Sequence, residues 1–438
     1  MGTRDTDGEP ADAALGARRT HQVHSAAWRR FRYLIPLCGQ AGSSLASLAV
    51  GLLLIRATAP SEYGLYVLGM SLALYSSSIQ DGLVSGPLIV RASALAPGGR
   101  ARYLQWNARA AIAWWLGLAA AGALLWEALE LRSPSLGPRG FGFATAFAAV
   151  GWIAWDLQRA QAFALERLDR LLWVDLTYIA GIASGCAVLW TADSLSASAA
   201  LICVGVAGIC AWIAVAPVAA SIETKVSRLR RALVYWWARG RWSLASSQIT
   251  WLQSQGYIYL VSALLGLEAL AKVSAVRLLF APLATLLAAW TKSALPRLSQ
   301  CAAAGQGPEI RALLQRASML LLGTLVLWAC AVVALSGWVA QRLFAGKYAD
   351  LPVLSLCWGV AFAASLLRGI WQTGLRAFGG FAVASRIAAV AFLVSASATC
   401  LGALVFRERG AVLGVAVAEL TAGVLLARTV LGHCQEQS

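Results

Sequence analysis

An all-α integral membrane protein is the fold class this sequence predicts, and three observations predict it. Apolar residues make up 59% of the 438 and charged residues only 13%, with a mean hydropathy of +0.67, far from the balance of a soluble domain. The apolar residues gather in about twelve runs of roughly 20, the length a helix needs to cross the hydrocarbon core. The basic residues are also unevenly shared between the connecting segments. With the N-terminal tail on the cytoplasmic side, loops on that side hold roughly 27 of the 36 Lys and Arg, the bias that orients multi-spanning membrane proteins. Both termini are therefore expected in the cytoplasm, and an even number of spans agrees with that.

Residues 1–27 are polar, lack apolar periodicity and read as a disordered cytoplasmic tail. Trp28 to Arg32 mix aromatic and basic groups at the level of the lipid headgroups. Runs at 33–55, 65–90, 108–131, 141–158, 171–190 and 196–220 form a first set of six, within an N-terminal unit at 28–220. A basic, aromatic stretch at 221–242 reads as an amphipathic helix lying on the anionic inner leaflet. Runs at 243–265, 271–295, 317–340, 351–375, 381–405 and 410–431 form the second set, in a C-terminal unit at 243–431, before a short cytoplasmic tail at 432–438. The net charge of +16 is read as topology signal, because no basic domain stands apart from the spans to bind nucleic acid. Most of the nine cysteines fall inside spans with no CxxC pair, as small apolar residues do. The three histidines lie in the tails, and no metal or other cofactor is expected.

One stretch organises the chain. From Leu52 to Leu72 an apolar run ends, a polar hinge containing Pro60, Ser61, Glu62 and Gly64 intervenes, and a second run begins. Pro60 cannot extend the preceding helix, and Ser61-Glu62 can cap and charge the next. The pattern returns at Leu260 to Phe280, where Glu268 falls on Glu62 and Val273 on Val67. The offset is close to half the chain and points to two homologous halves.

Polar groups inside the spans mark the surfaces that face protein or water instead of lipid. The first span carries Gln40, Ser43, Ser44 and Ser47 and ends at Arg56, a cation either at the mouth of a cavity or snorkelling to the outer headgroups. The second carries Ser76 to Ser78 and then Asp81, placed either at an ion or proton site or at the inner interface. The segment 156–170 brings charges of both signs and reads as a cytoplasmic helical extension. The seventh span has Gln248, Gln253 and Gln255 along a face suited to lining a wet cavity. Arg277, about one and a half turns inside the eighth span, either binds phosphate, snorkels to the interface or pairs with Glu268. Arg368 in the tenth span is either lumenal or interfacial. Glu419 in the twelfth is expected to be protonated or paired.

Glu62-Tyr63-Gly64-Leu65-Tyr66, then Gln80-Asp81-Gly82 and Arg91, and the outer hinge Leu343-Phe344-Ala345-Gly346-Lys347-Tyr348 together resemble the polysaccharide flippases. These are the Wzx-type members of the multidrug/oligosaccharidyl-lipid/polysaccharide exporter superfamily. The resemblance implies two six-helix lobes around a central cavity in the bacterial inner membrane. It also implies a lipid-linked oligosaccharide as cargo, with a polysaccharide polymerase or glycosyltransferases as partners beside the membrane lipids. On that reading Arg277, with Arg56 and Arg368, offsets the charge of a pyrophosphate. Gln40, Ser44, Gln248, Gln253 and Gln255 line the cavity, and Asp81 and Glu419 are the candidates for ion or proton coupling. Two departures stand out: Gln253 and Gln255 replace an acidic residue in the seventh span, and Ala269-Leu270-Ala271-Lys272 replaces the Tyr-Gly-x-Tyr pattern in the second hinge. A drug or cation antiporter of the same superfamily is the first alternative. A membrane glycosyltransferase or polymerase is the second, although the short outer loops offer no acid or histidine pair for chemistry.

Overall fold

The computed structural model describes residues 38–39, 41–85, 97–132, 138–165, 167–215, 226–348 and 350–436. The described chain is a bundle of helices. In the first half, α1 (Ala41–Ala57) is followed by α2 (Pro60–Gln80), with a π-helical turn at Asp81–Ser85, then α3 (Pro97–Arg132) and α4 (Phe141–Ala164). This half ends with α5 (Leu168–Thr191) and α6 (Ala197–Val215). The second half has α7 (Val226–Leu265), α8 (Leu267–Leu279), α9 (Ala281–Ala303), α10 (Gly307–Ala334) and α11 (Leu351–Ala377). A last helical run, Phe381–Glu436, breaks where Phe406 and Arg407 leave helical geometry, the latter at φ 51°. It is therefore two helices, α12 (381–405) and α13 (408–436).

The expected hinges are present and nearly in register. The first is the two-residue link at Thr58 and Ala59; the second is Gly266, at φ 88°. Pro60 sits in the first turn of α2 as expected, but neither Ser61 nor Glu62 caps that helix. Glu62 instead reaches α6, where its carboxylate accepts the Ala197 N–H at 2.8 Å, placing a negative group at a helix N-terminus. At this end of the bundle, the hinge end, α2 and α8 meet closely. A Cβ on Gly64 would come within 2.0 Å of the Leu267 carbonyl oxygen, so only glycine lets the two halves touch there.

Two expected elements differ in the structure. The eighth span is a pair, α8 and α9, bent by 52° at Phe280, because Pro282 opens α9 and cannot donate a backbone hydrogen bond into α8. The stretch expected to lie on the leaflet as a linker is, from Val226 onward, the first part of a continuous 40-residue α7, about 60 Å long. Its Ala232 and Trp236 are buried against Val84, Ala111, Trp115 and Leu157 of the first half. The Trp236 indole N–H donates to Asn107 Oδ1 at 3.0 Å. An aromatic residue that looks like a headgroup anchor is instead a contact between halves.

Six described helical runs are long and apolar enough to cross a membrane, and the bent pair α8 and α9 makes a seventh. The helices outside that set include α2, α4 and α7, each of which contributes polar residues to the interior. Within the first lobe, α4 and α6 pack backbone to backbone: a Cβ on Gly208 would sit 2.1 Å from the Gly151 carbonyl oxygen, and one on Gly151 2.3 Å from that of Gly205. Small residues at such crossings supply the packing that lipid does not. Gly208→Leu is expected to force these helices apart and to cost at least about 1–3 kcal/mol of overpacking. The check is loss of monodisperse protein in detergent; a variant with the parental melting temperature would show that the crossing is loose.

Candidate functional site

A cavity of about 510 Å³ lies between the two halves. Most of the wall is made by residues three or four apart on one helix, the spacing that puts side chains on a common face. The wall includes Ser43, Ser44 and Ser47 of α1; Tyr63, Tyr66, Met70 and Ser71 of α2; Trp152, Trp155, Asp156 and Arg159 of α4; Trp251 and Gln255 of α7; and Ser274 and Arg277 of α8, with α9 and α11 completing it. Hydroxyl, amide and indole groups thus alternate with aromatic faces. Near mid-depth the halves are joined by the Ser71 hydroxyl, which donates to the Tyr259 hydroxyl at 3.0 Å.

Arg277 lies deeper than its sequence suggests. It is about ten residues along α8 from Leu267, about 15 Å from the hinge end, too far for Glu268 at the helix start to pair with it. Its Nη1 donates to Gln255 Oε1 at 3.2 Å. The guanidinium also stands 5.6 Å from the Tyr257 ring centroid and 5.8 Å from that of Trp358, where the electron-rich faces of the rings stabilise a cation. The Trp358 indole N–H donates to the Val273 carbonyl at 2.9 Å, which fixes the ring. This amide and aromatic setting offsets the charge only in part and leaves donors for an anion.

A second charged group in the wall was not legible as such in the sequence. Arg159 of α4 pairs through Nε with Asp175 Oδ1 of α5 at 3.0 Å and stands 4.7 Å from the Trp155 ring. Asp175 is 1% exposed. Asp156 lies one turn before Arg159, and its carboxyl interacts with that of Asp81 in the π-helical turn. The segment 156–170 is therefore not one solvated extension: Asp156 and Arg159 belong to the cavity, whereas Arg167 and Asp169 at the α4–α5 turn are exposed. There, hydrogen bonding to Arg167 holds the Asp169 carboxyl below the usual carboxylate range. The signal that would have placed Arg159 is its spacing from Trp152, Trp155 and Asp156 along one helix face.

The remaining predicted residues are distributed as follows. Ser44 and Gln255 are in the wall with Arg277, whereas Gln40 lies outside the described residues. Gln248 is not in the wall; its amide donates to the Ser78 and Ser247 hydroxyls, each at 3.2 Å. Gln253 is not in the wall either, because two residues of helix turn it about 200° from Gln255. It is 3% exposed and packs towards α12, where the Ser395 hydroxyl donates to its carbonyl at 3.2 Å. Arg56 is exposed at the hinge end and donates to the Arg342 carbonyl at 3.0 Å. Arg368 is also absent from the wall: it pairs with Glu419 of α13 and donates to Gln372 at 3.1 Å. Glu419 is thus paired, one of the two states its sequence position allowed.

No family model and no curated protein sequence matches this chain. Solved structures do match it in shape. The inward closed conformation of the lipid II flippase MurJ superposes with a TM-score of 0.70 at 12% identity, covering 93% of this chain and 90% of that one. A multidrug resistance MATE family transporter of the MOP superfamily, inward-facing, gives 0.66 at 13% identity over 90% of this chain and 95% of that one. A MATE transporter of Vibrio cholerae gives 0.56 at 17% identity over 92% and 95%. At these identities the likeness establishes the fold: an all-helical membrane protein of two six-helix lobes around a central cavity.

Proposed function

We propose that this protein is a flippase that carries a polyprenyl-pyrophosphate-linked oligosaccharide across the bacterial inner membrane by alternating access. The observation that carries the reading is Arg277, a guanidinium at mid-depth in a polar cavity between the lobes, held by an amide and two aromatic faces. An ionised group at that depth is costly unless it meets a counter-charge or water, and a diphosphate supplies the counter-charge. The sugars would lie among the serines and aromatic side chains while the polyprenyl tail stays in lipid. Rocking of the lobes would then expose the cavity to one side at a time. The Lys and Arg distribution supports an orientation with the hinge end outside and both termini in the cytoplasm. A polymerase or glycosyltransferases would act on the cargo before and after it crosses.

A second reading, a MATE-type cation antiporter, is favoured by Asp156, a carboxylate in the same wall. One experiment separates the two. Purified protein in proteoliposomes is given a fluorescent polyprenyl-pyrophosphate oligosaccharide, and its access to an impermeant quencher is followed. Matched liposomes are tested for uptake of a cationic dye under a proton or sodium gradient. Flipping of the lipid without dye uptake is expected; dye uptake without flipping would replace the proposal with the antiporter.

A further inference from the structure

A helix leaves its last four carbonyls without partners inside the helix, and at the end of α1 one lysine from the other lobe takes up three carbonyls. Lys347 Nζ donates to the carbonyl oxygens of Ile55 at 2.8 Å, Arg56 at 2.9 Å and Thr58 at 2.6 Å. Those three bonds use every donor of the ammonium, and the negative end of the α1 dipole adds to the attraction. The contact is returned by Arg56, whose guanidinium donates to the Arg342 carbonyl.

The segment that carries Lys347 joins α10 to α11 of the second lobe. Phe344 and Tyr348 are buried at 0% and 3% exposure, and their rings meet edge to face with centroids 5.7 Å apart. Between them the chain turns tightly through Ala345 and Gly346, at φ 51° and 73°. The Gly346 N–H donates to the Ala340 carbonyl at 2.7 Å and the Lys347 N–H to that of Phe344 at 3.1 Å. A positive φ at alanine is unfavourable and persists where the surroundings over-determine it. Beyond the turn, Asp350 is held by Lys272 of α8 at 3.3 Å and by Arg409 of α13 at 3.7 Å. The arm is fixed at both ends to the second lobe, and the lysine between those ends crosses to the first.

We propose that residues 339–348 form a strap that holds the hinge end shut, with Lys347 as its clasp. Opening of the cavity toward that end then requires all three Lys347 bonds to break. The close approach of α2 to α8 at Gly64 lies at the same end, but apolar packing there has no direction and can slide. The lysine sets the closed position because it fits one arrangement of carbonyls.

The test needs no cargo, so it stands or falls apart from the transport reading. A cysteine at Ser44, in the cavity wall about 20 Å along α1 from the hinge, reports access. In sealed vesicles that present the hinge end, the rate at which an impermeant maleimide labels S44C is measured, with the labelling of the parent's own cysteines subtracted. Lys347→Ala is expected to raise that rate at least about tenfold, the factor that the loss of one charged hydrogen bond corresponds to. Lys347→Met, which keeps the apolar stem, should behave like the alanine variant, and Lys347→Arg should restore part of the protection. Parental labelling rates in both the alanine and methionine variants would overturn the proposal. So would an equal rise in inverted vesicles, which would mean that the whole bundle had loosened.

Discussion

Arg277→Gln is expected to lower flipping in proteoliposomes by about 10- to 100-fold, the effect of removing one charged hydrogen-bond partner at about 1.5–3 kcal/mol. The glutamine variant should still fold, because the aromatic surroundings of Arg277 are held by other contacts. Tyr257 and Trp358 pack edge to face with centroids 5.6 Å apart, and the Trp358 indole is tied to the Val273 carbonyl. Arg277→Lys keeps the charge but loses the planar fork that meets two phosphate oxygens at once, so an intermediate rate is expected. The readouts are the initial rate of quencher access and the melting temperature of each variant. A glutamine variant that is fully folded and flips at the parental rate would remove Arg277 from the site. If Asp156→Asn also left flipping intact while Arg277→Gln did not, the anion reading would gain over the cation one. Both groups occupy the same cavity, but only one of them offers positive charge.

The fold was legible in the sequence because lipid admits so few solutions. Runs near 20 residues, a polar hinge after Ala57 and its echo near Gly266 fixed the helix order and the two halves. The bend at Phe280 was hidden because 271–295 has the length of a single span, and Pro282 looks like the start of a new helix only once the helix on each side is known. The cavity wall was partly legible. Serines and glutamine at Ser44 and Gln255 are costly against lipid and so had to face inward, whereas Gln253 carries the same chemistry on the opposite face of one helix. Arg159 was read as solvated because its neighbours carry charges of both signs. Its partner Asp175 lies on the next helix, across a turn that composition alone assigned to water. The Lys347 clasp was beyond reach for the same reason: its three acceptors are backbone carbonyls nearly 300 residues away, and no side-chain pattern announces them.

Glu419→Leu is expected to destabilise the second lobe by about 3–5 kcal/mol, because it leaves the Arg368 guanidinium in low-dielectric surroundings with Gln372 as its remaining side-chain partner among the described residues. Glu419 is 4% and Arg368 16% exposed at the side chain, and the pair ties α11 to α13 at a point where Gly423 packs against the Arg368 backbone. The informative comparison is the double replacement Arg368→Met with Glu419→Leu. Removing both charges together also removes the desolvation that each ion requires, so the double variant should recover most of the melting temperature lost by the single one. If it regains stability and also flips the lipid normally, the pair serves the architecture and neither residue handles cargo or a coupling ion. If it regains stability but transport stays lost, Glu419 and Arg368 act in the cycle itself. The most direct way for them to do so would be exchange of the carboxylate between the guanidinium and a proton as the lobes rock. Melting temperature and flipping rate measured on the same preparations decide between these, since stability alone moves identically in both cases.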